Sequence, residues 1–155
     1  MSAHYPPPDA FDSILVPTDG SDAAHAALEH ALVLARPYGA AVHVLTVVDP
    51  SANPLAFGVE EVDELNRAAQ TIVDDLVDAY VDHAVEVHGA VRRGRPHRQI
   101  LAYADEMGID LLVVGRTGVH GVSRSLLGST TDRLIRSSSI PVTVVPSGTG
   151  DGNGR

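Results

Sequence analysis

Short apolar runs alternate with amphipathic segments between residues 13 and 146. Five runs rich in β-branched side chains predict buried strands at residues 13–18, 41–48, 84–91, 111–114 and 142–145. Four intervening segments repeat apolar side chains every three or four residues, which predicts helices at 21–36, 60–82, 96–107 and 129–137. Residues 49–58 are expected to form a loop. The ends, 1–12 and 147–155, are rich in proline or glycine and are predicted to be flexible tails.

Residues that begin and end helices support these boundaries. Ser21 or Asp22 can cap the first helix, and Pro37 with Gly39 closes it. Pro96 suits the first turn of the third helix, where its missing N–H is not needed. The elements therefore follow one another as βαβαβαβαβ.

Regular alternation of strands and helices predicts a parallel sheet covered on both faces, in a single doubly wound α/β domain over residues 13–146. Ligands of such sheets bind at the carboxyl ends of the strands. This rule directs attention to two loops, Asp19-Gly20-Ser21 after the first strand and the glycine-rich stretch after the fourth. The last strand is bracketed by Pro141 and Pro146 and is expected to lie at an edge.

Composition narrows the class of protein. The 155 residues suffice for one domain with a substantial core, and the absence of cysteine excludes disulfides, thiolate metal sites and cysteine nucleophiles. The first residues lack the basic and apolar regions of a secretory signal, and no apolar run approaches the roughly 20 residues of a membrane span. A cytoplasmic protein without a membrane partner is expected.

The charge is strongly acidic, with a formal net charge of −9, and all 11 basic residues are arginine. Binding to nucleic acid or anionic lipid is therefore not expected. Without lysine, a Walker A phosphate loop is also excluded. The composition fits a GC-rich genome and a salt-accumulating cell equally well.

The stretch after the fourth strand is dense in glycine. Gly115, Gly118 and the pair Gly128-Ser129 lead into a helix whose first amides point out of its end and carry partial positive charge. Glycines allow a ligand to approach the backbone, so one interpretation is an anion site of the phosphate type. The alternative is a set of turn glycines with a serine cap and no ligand, and the residues alone favour neither.

Several motifs in order resemble the ATP-binding universal stress proteins. The spacing Gly115-x2-Gly118-x9-Gly128-Ser129 is similar to the nucleotide motif of that family. ILVPTDGS at 14–21, VRRGRP at 91–96 and SIPVTVVP at 139–146 extend the resemblance over nearly the whole chain, and Leu126 with Leu127 also match.

The resemblance implies a Rossmann-like sheet of the adenine nucleotide alpha hydrolase type, ordered 3-2-1-4-5, with ATP across its carboxyl edge. Mg²⁺ would be held mainly through phosphate oxygens and water, with no protein metal site. It also implies a homodimer through Val142–Val145. The implied nucleotide-contacting residues are Pro17, Thr18, Asp19, Val47, Val114, Gly115, Arg116, Thr117, Gly118, Gly128, Ser129, Thr130 and Thr131.

Within this set, Val47 is expected to meet adenine through its backbone, and residues 128–131 are expected to hold the phosphates. Arg116 and Thr117 occupy variable positions of the motif. Asp19 has two possible roles: it can cap the following helix, or it can accept hydrogen bonds from ribose or adenine. The intact motif opposite it favours the ligand.

Other candidate functional residues give weaker evidence for a specific chemistry. The eight histidines include no H-E-x-x-H pair, so structural or solvated roles are expected, including for His120 inside the glycine-rich stretch. Arg92, Arg93, Arg95 and Arg98 form a basic cluster without interleaved aromatic residues. This cluster is either a solvated loop or a contact for a polyphosphate or an acidic partner.

The function that these features favour is a dimeric nucleotide-dependent stress-response switch with an unidentified protein partner and little or slow hydrolysis. No catalytic residue is assigned, because no G-x-S-x-G motif or committed general base is present. The alternatives are a true ATPase or phosphotransferase, and a dimerisation module that binds no nucleotide.

Overall fold

The computed structural model describes residues 12–52, 59–80, 84–116 and 127–146. Within these ranges, parallel strands alternate with helices. The strands are β1 (Ser13–Pro17), β2 (Ala41–Val48), β3 (Val87–Arg93), β4 (Leu111–Gly115) and β5 (Val142–Val145). The helices are α1 (Asp22–Ala35), α2 (Val59–Ala79), α3 (Pro96–Glu106) and α4 (Ser129–Ser137), with short 3₁₀ turns at Arg36–Tyr38 and Pro50–Ala52.

The five strands form one parallel sheet in the order β3-β2-β1-β4-β5. This confirms the doubly wound α/β fold, the 3-2-1-4-5 order and the edge position of the last strand. Because every crossover returns to the same end of the sheet, all four helices begin at the carboxyl edge. The expected tails fall almost wholly outside the described residues, as do residues 53–58 of the expected loop and 81–82 at the expected end of the second helix.

The predicted boundaries of α1 are confirmed. Ser21 is its N-cap, and the Ser21 hydroxyl accepts a hydrogen bond from the Ala24 N–H at 3.2 Å. The helix ends in the 3₁₀ turn that contains Pro37, followed by Gly39 with a φ of 63°. Pro96 opens α3 as predicted.

The third strand begins three residues later and ends two residues later than predicted. Its ladder with β2 runs from Val42 opposite Val87 to Val48 opposite Arg93, so β2 sets the position of β3. Arg92 and Arg93 belong to the strand, although arginine followed by glycine and proline suggested that the strand had already ended. Long-range pairing overrides the local signal here.

Two apolar cores cover the two faces of the sheet. Side chains of β1 alternate between them, with Ile14 and Val16 in the core under α1 and α2, and Leu15 in the core under α3 and α4. Leu28 and Leu134 are buried helix residues of the two cores. The alternation explains the continuous apolar runs, since a strand covered on both faces has no polar side.

A polar cluster crosses the second core between β2 and α3. The His43 Nδ1 and Tyr103 Oη atoms are 2.7 Å apart, and the His43 and His88 ring centroids are 5.1 Å apart. Burial, followed by the nearby His88, lowers the pKa of His43. The guanidinium of Arg92 lies 5.0 Å from the centroid of the Tyr103 ring and pairs with Glu106 at 2.8 Å. His43 therefore has a structural role.

Candidate functional site

Three segments converge on Gly115, the last residue of β4. An added Cβ at Gly115 would lie 2.8 Å from the carbonyl carbon and oxygen of Ala23, in the first turn of α1. The Thr131 hydroxyl of α4 donates to the Gly115 carbonyl at 2.8 Å. The Gly128 N–H donates to the Arg116 carbonyl at 2.8 Å. The starts of α1 and α4 are thereby held together at the carboxyl end of β4.

The start of α4 offers unsatisfied donors at this junction. Gly128 is the N-cap, and the Asp132 N–H donates to its carbonyl at 2.9 Å as the first helical bond. The N–H groups of residues 129–131 precede this first bond, so helix geometry gives them no acceptor within the helix and they point out of its end. Ser129, which is exposed, and Thr130, which is half-buried, carry hydroxyl groups in this same first turn. Such an arrangement suits a phosphate or another compact anion.

The backbone conformation at position 128 does not require glycine. Its φ of −62° and ψ of 154° are open to any residue, and no side chain caps the helix. Serine or aspartate would serve at least as well at an N-cap. Neither the backbone conformation nor the capping of α4 therefore accounts for glycine at this position.

Gly115 and Thr131 have structural roles that the sequence did not reveal. Gly115 allows β4 to pack directly against the backbone of α1. Thr131 is buried, and its hydroxyl proton is engaged by the Gly115 carbonyl. Thr131 thus positions α4 against β4, and its hydroxyl is not a ligand donor while that bond is intact.

The turn between β1 and α1 is held by several hydrogen bonds. The Thr18 N–H donates to the Leu45 carbonyl at 2.8 Å, and the Thr18 carbonyl accepts from the Thr46 hydroxyl at 3.0 Å. Asp19 Oδ1 accepts from the Ser21 N–H at 2.9 Å, and Gly20 has a φ of 81°. The Asp19 carboxylate therefore has a local role in the turn, while a contact with a ligand stays a prediction.

The remaining predicted residues lie at strand ends. Val47 and Val114 direct their side chains into the second core, so they can meet a ligand only through their backbones. Pro17 ends β1, and the half-buried Arg116 donates its N–H to the Val145 carbonyl at 3.0 Å. Four of the residues named earlier, Thr117, Gly118, His120 and Leu126, lie outside the described residues.

A cleft of about 250 Å³ opens beside the β1–α1 turn, between α1 and α2. Thr18, Gly20 and Ser21 line its end at the sheet. Its walls and mouth are formed by Ala24, His25, Leu28, Ile72, Asp75 and Leu76. The α2 residues of this cleft were not predicted, because nothing local in the sequence marks the part of α2 that reaches the β1 turn.

Two classes of site are not found in the described part of the chain. No group of three or more histidine, aspartate or glutamate side chains there is placed to hold a metal ion. None of the described helices is long and apolar enough to span a bilayer.

Comparison with known proteins identifies the family. The model of the universal stress protein family matches residues 10–146. The universal stress protein MJ0531 of Methanocaldococcus jannaschii is 33% identical over 139 residues, which cover 87% of this chain and 82% of the relative.

Solved structures agree. Universal stress protein UspA from Lactobacillus plantarum has a TM-score of 0.76 at 30% identity, covering 87% of this chain and 97% of that one. A universal stress protein in complex with cAMP has a TM-score of 0.69 at 27% identity, covering 89% of this chain and 99% of that one. The chain therefore belongs to the universal stress protein family.

Proposed function

We propose that this chain binds an adenine nucleotide, preferentially ATP, at the carboxyl edge of its sheet. The observation that carries the proposal is the start of α4. A glycine that its own backbone does not require precedes a helix end whose donors face the junction with α1 and β4. Nucleotide binding in a relative that is 27% identical, the protein in complex with cAMP, supports the same ligand class.

Each part of the ligand has a matching part of the site. The N–H groups of residues 129–131 and the hydroxyls of Ser129 and Thr130 would hold the phosphates. Asp19 would accept hydrogen bonds from ribose or adenine, and the backbone at Val47 would meet the adenine edge. Mg²⁺ would be held by phosphate oxygens and water rather than by a protein site.

In this proposal the protein acts as a nucleotide-dependent switch in the stress response. The nucleotide would set the surface around the start of α4 that a partner protein meets. Hydrolysis would be slow or absent, because amide and hydroxyl donors bind phosphate without activating water. Phosphate release faster than about 1 per second, toward the low end of enzyme rates, would instead favour an ATPase.

Substitution at Gly128 tests the proposal. A Gly128→Val side chain would project into the space in front of the helix, so nucleotide released from purified protein and detected by mass spectrometry should disappear. Gly39→Asn is the control, since asparagine tolerates the φ of 63° at Gly39 and this turn precedes β2 at the opposite edge. The absence of calorimetric heat from ATP, AMP and cAMP with Mg²⁺ on the unchanged protein would rule the proposal out.

We also propose a cytoplasmic homodimer through β5. This strand is hydrogen-bonded to β4 and ends the sheet, and all four of its residues are half-buried. An apolar edge strand favours pairing with a second copy. A dimer that gains no thermal stability from millimolar ATP would favour a dimerisation module without nucleotide.

A further inference from the structure

A side-chain oxygen of α2 is buried without a hydrogen-bond partner. The Asn66 Oδ1 atom is shielded from solvent and accepts no hydrogen bond from any residue that the structure describes. Its neighbours on the same face of α2 are of a different kind, since Ala69 and Val73, one and two turns later, are buried and apolar. A buried carbonyl group without a donor lowers stability, so asparagine at this position indicates a role other than packing.

The packing of α2 places Asn66 at the carboxyl edge of the sheet. A Cβ added at Gly89 of β3 would lie 2.1 Å from Val73 Cγ1, and Gly89 is paired with Val44 of β2. α2 runs against the direction of the strands, and Asn66 precedes Val73 by two helical turns, roughly 10 Å. At roughly 3.3 Å per strand residue, Asn66 lies about three residues beyond Val44, level with Val47.

Strand β2 is open on one side at this level. Its ladder with β1 ends at Leu45 opposite Pro17, whereas its ladder with β3 continues to Val48. Beyond β1, no strand of the described sheet lies on that side of β2. Under the proposed function, the nucleotide base lies against the Val47 backbone in this space. Asn66 would then meet the base from the α2 side.

We propose that the Asn66 carboxamide binds the base of the nucleotide and favours adenine over guanine. This inference rests on the proposed function and adds to it a side chain that determines specificity. A carboxamide presents an acceptor and a donor in one plane, which match the amino group and N7 that adenine presents side by side. Guanine presents two acceptors on that edge, O6 and N7, so the carboxamide oxygen would face another acceptor.

The side chain can reach a ligand in this way. Asn66 as a whole is half-buried, although its Oδ1 is shielded. The last torsion of an asparagine side chain has a broad range, so a rotation there can turn the oxygen towards a base. The bound base would supply the donor that Oδ1 lacks, and the cost of burying the oxygen would be offset only in the complex.

Calorimetric titration of Asn66→Leu with ATP and with GTP, in the presence of Mg²⁺, tests the proposal. Leucine is similar in size but cannot form the two hydrogen bonds, so the affinity for ATP should fall on the order of tenfold and that for GTP by less than about threefold. The matched control is Gln70→Leu, which removes an exposed carboxamide from the next turn of α2, where Gln70 donates to Asp74 at 2.9 Å. The control should leave both affinities within about twofold.

Thermal unfolding of the nucleotide-free protein gives a second readout. Asn66→Leu should keep or raise the Tm, because no hydrogen bond is lost and an unpartnered oxygen is removed. A clear fall in the Tm, or an equal loss of affinity for ATP and GTP, would show that the carboxamide supports the fold and would overturn the proposal. Unchanged ATP affinity in Asn66→Leu would overturn it while leaving the proposed function intact. An unsubstituted protein that binds neither nucleotide would refute both.

Discussion

Replacing Gly115 by alanine separates a packing role for this glycine from a ligand role. The added methyl carbon would lie 2.8 Å from the carbonyl carbon and oxygen of Ala23 and 2.9 Å from its Cβ. Carbon atoms in favourable contact lie about 3.5–4.0 Å apart. Either β4 or the first turn of α1 would therefore shift by roughly 0.6–1.2 Å to admit the methyl group.

The cost of that shift can be bounded. Overpacking of a core costs about 1–3 kcal/mol. We expect the upper part of this range, since two of the three contacted atoms are backbone in a helix turn fixed by the Ser21 cap. For a domain of this size each kcal/mol lowers the Tm by about 2–4 °C, so a loss of about 2–3 kcal/mol corresponds to roughly 4–12 °C.

Thermal unfolding followed by circular dichroism, on protein freed of nucleotide, measures the effect. Gly128→Ala is the comparison, because the φ of −62° at Gly128 admits alanine and only the capping preference is lost. That preference is worth about 0.5–1 kcal/mol, or a few degrees. A Gly115→Ala protein that melts within about 2 °C of the unchanged protein would refute the packing explanation.

Three further predictions concern the hydrogen bond of the Thr131 hydroxyl, the titration of His43 and the edge strand β5. Thr131→Val should lower the free energy of urea unfolding by about 1–2 kcal/mol, because the Gly115 carbonyl loses its hydroxyl donor. Thr131→Ser keeps a hydroxyl and should retain most of the stability. Equal losses in the two variants would contradict the role of the hydrogen bond. The lowered pKa of His43 means that the unfolded chain takes up its proton first, so stability should fall as the pH drops below about 6.5. In His43→Asn, the midpoint of urea unfolding should depend less on pH below about 6.5. An unchanged pH dependence would contradict the attribution of this effect to His43. Thr143→Lys on β5 should halve the mass in light scattering, whereas Thr71→Lys on α2 should not.

The fold was predictable because its signals are local and repeated. The bounds of β2, α4 and β5 were predicted to the residue, since apolar runs and helical stripes there end at clear changes of pattern. Strand β3 was not, because its position depends on hydrogen bonds with β2, some 45 residues earlier in the chain. Arginines at the end of β3 carry no local indication that they belong to a ladder.

The meeting of the helix starts was predictable for a different reason. Parallel strands bring their carboxyl ends together, and the first turns of α1 and α4 do meet at Gly115. The contacts that each residue makes at this junction were harder to predict from the sequence. The contact of Gly115 with Ala23 joins residues 92 positions apart, and the contribution of Ile72 and Leu76 to the cleft depends on how α2 crosses the sheet. Such contacts leave no periodic trace in the sequence.

Sorting the motif by physical cause separates the residues that have a structural role from those that have none among the described contacts. Gly115 is accounted for by packing, Thr131 by its bond to the Gly115 carbonyl, and Gly20 by its φ of 81°. A chain that kept these three would fold in this way whether or not it bound anything. Gly128 and Ser129 have no comparable structural cause among the described contacts. It follows that Gly128-Ser129, rather than the whole glycine-rich motif, should distinguish nucleotide-binding members of this fold from those that bind none.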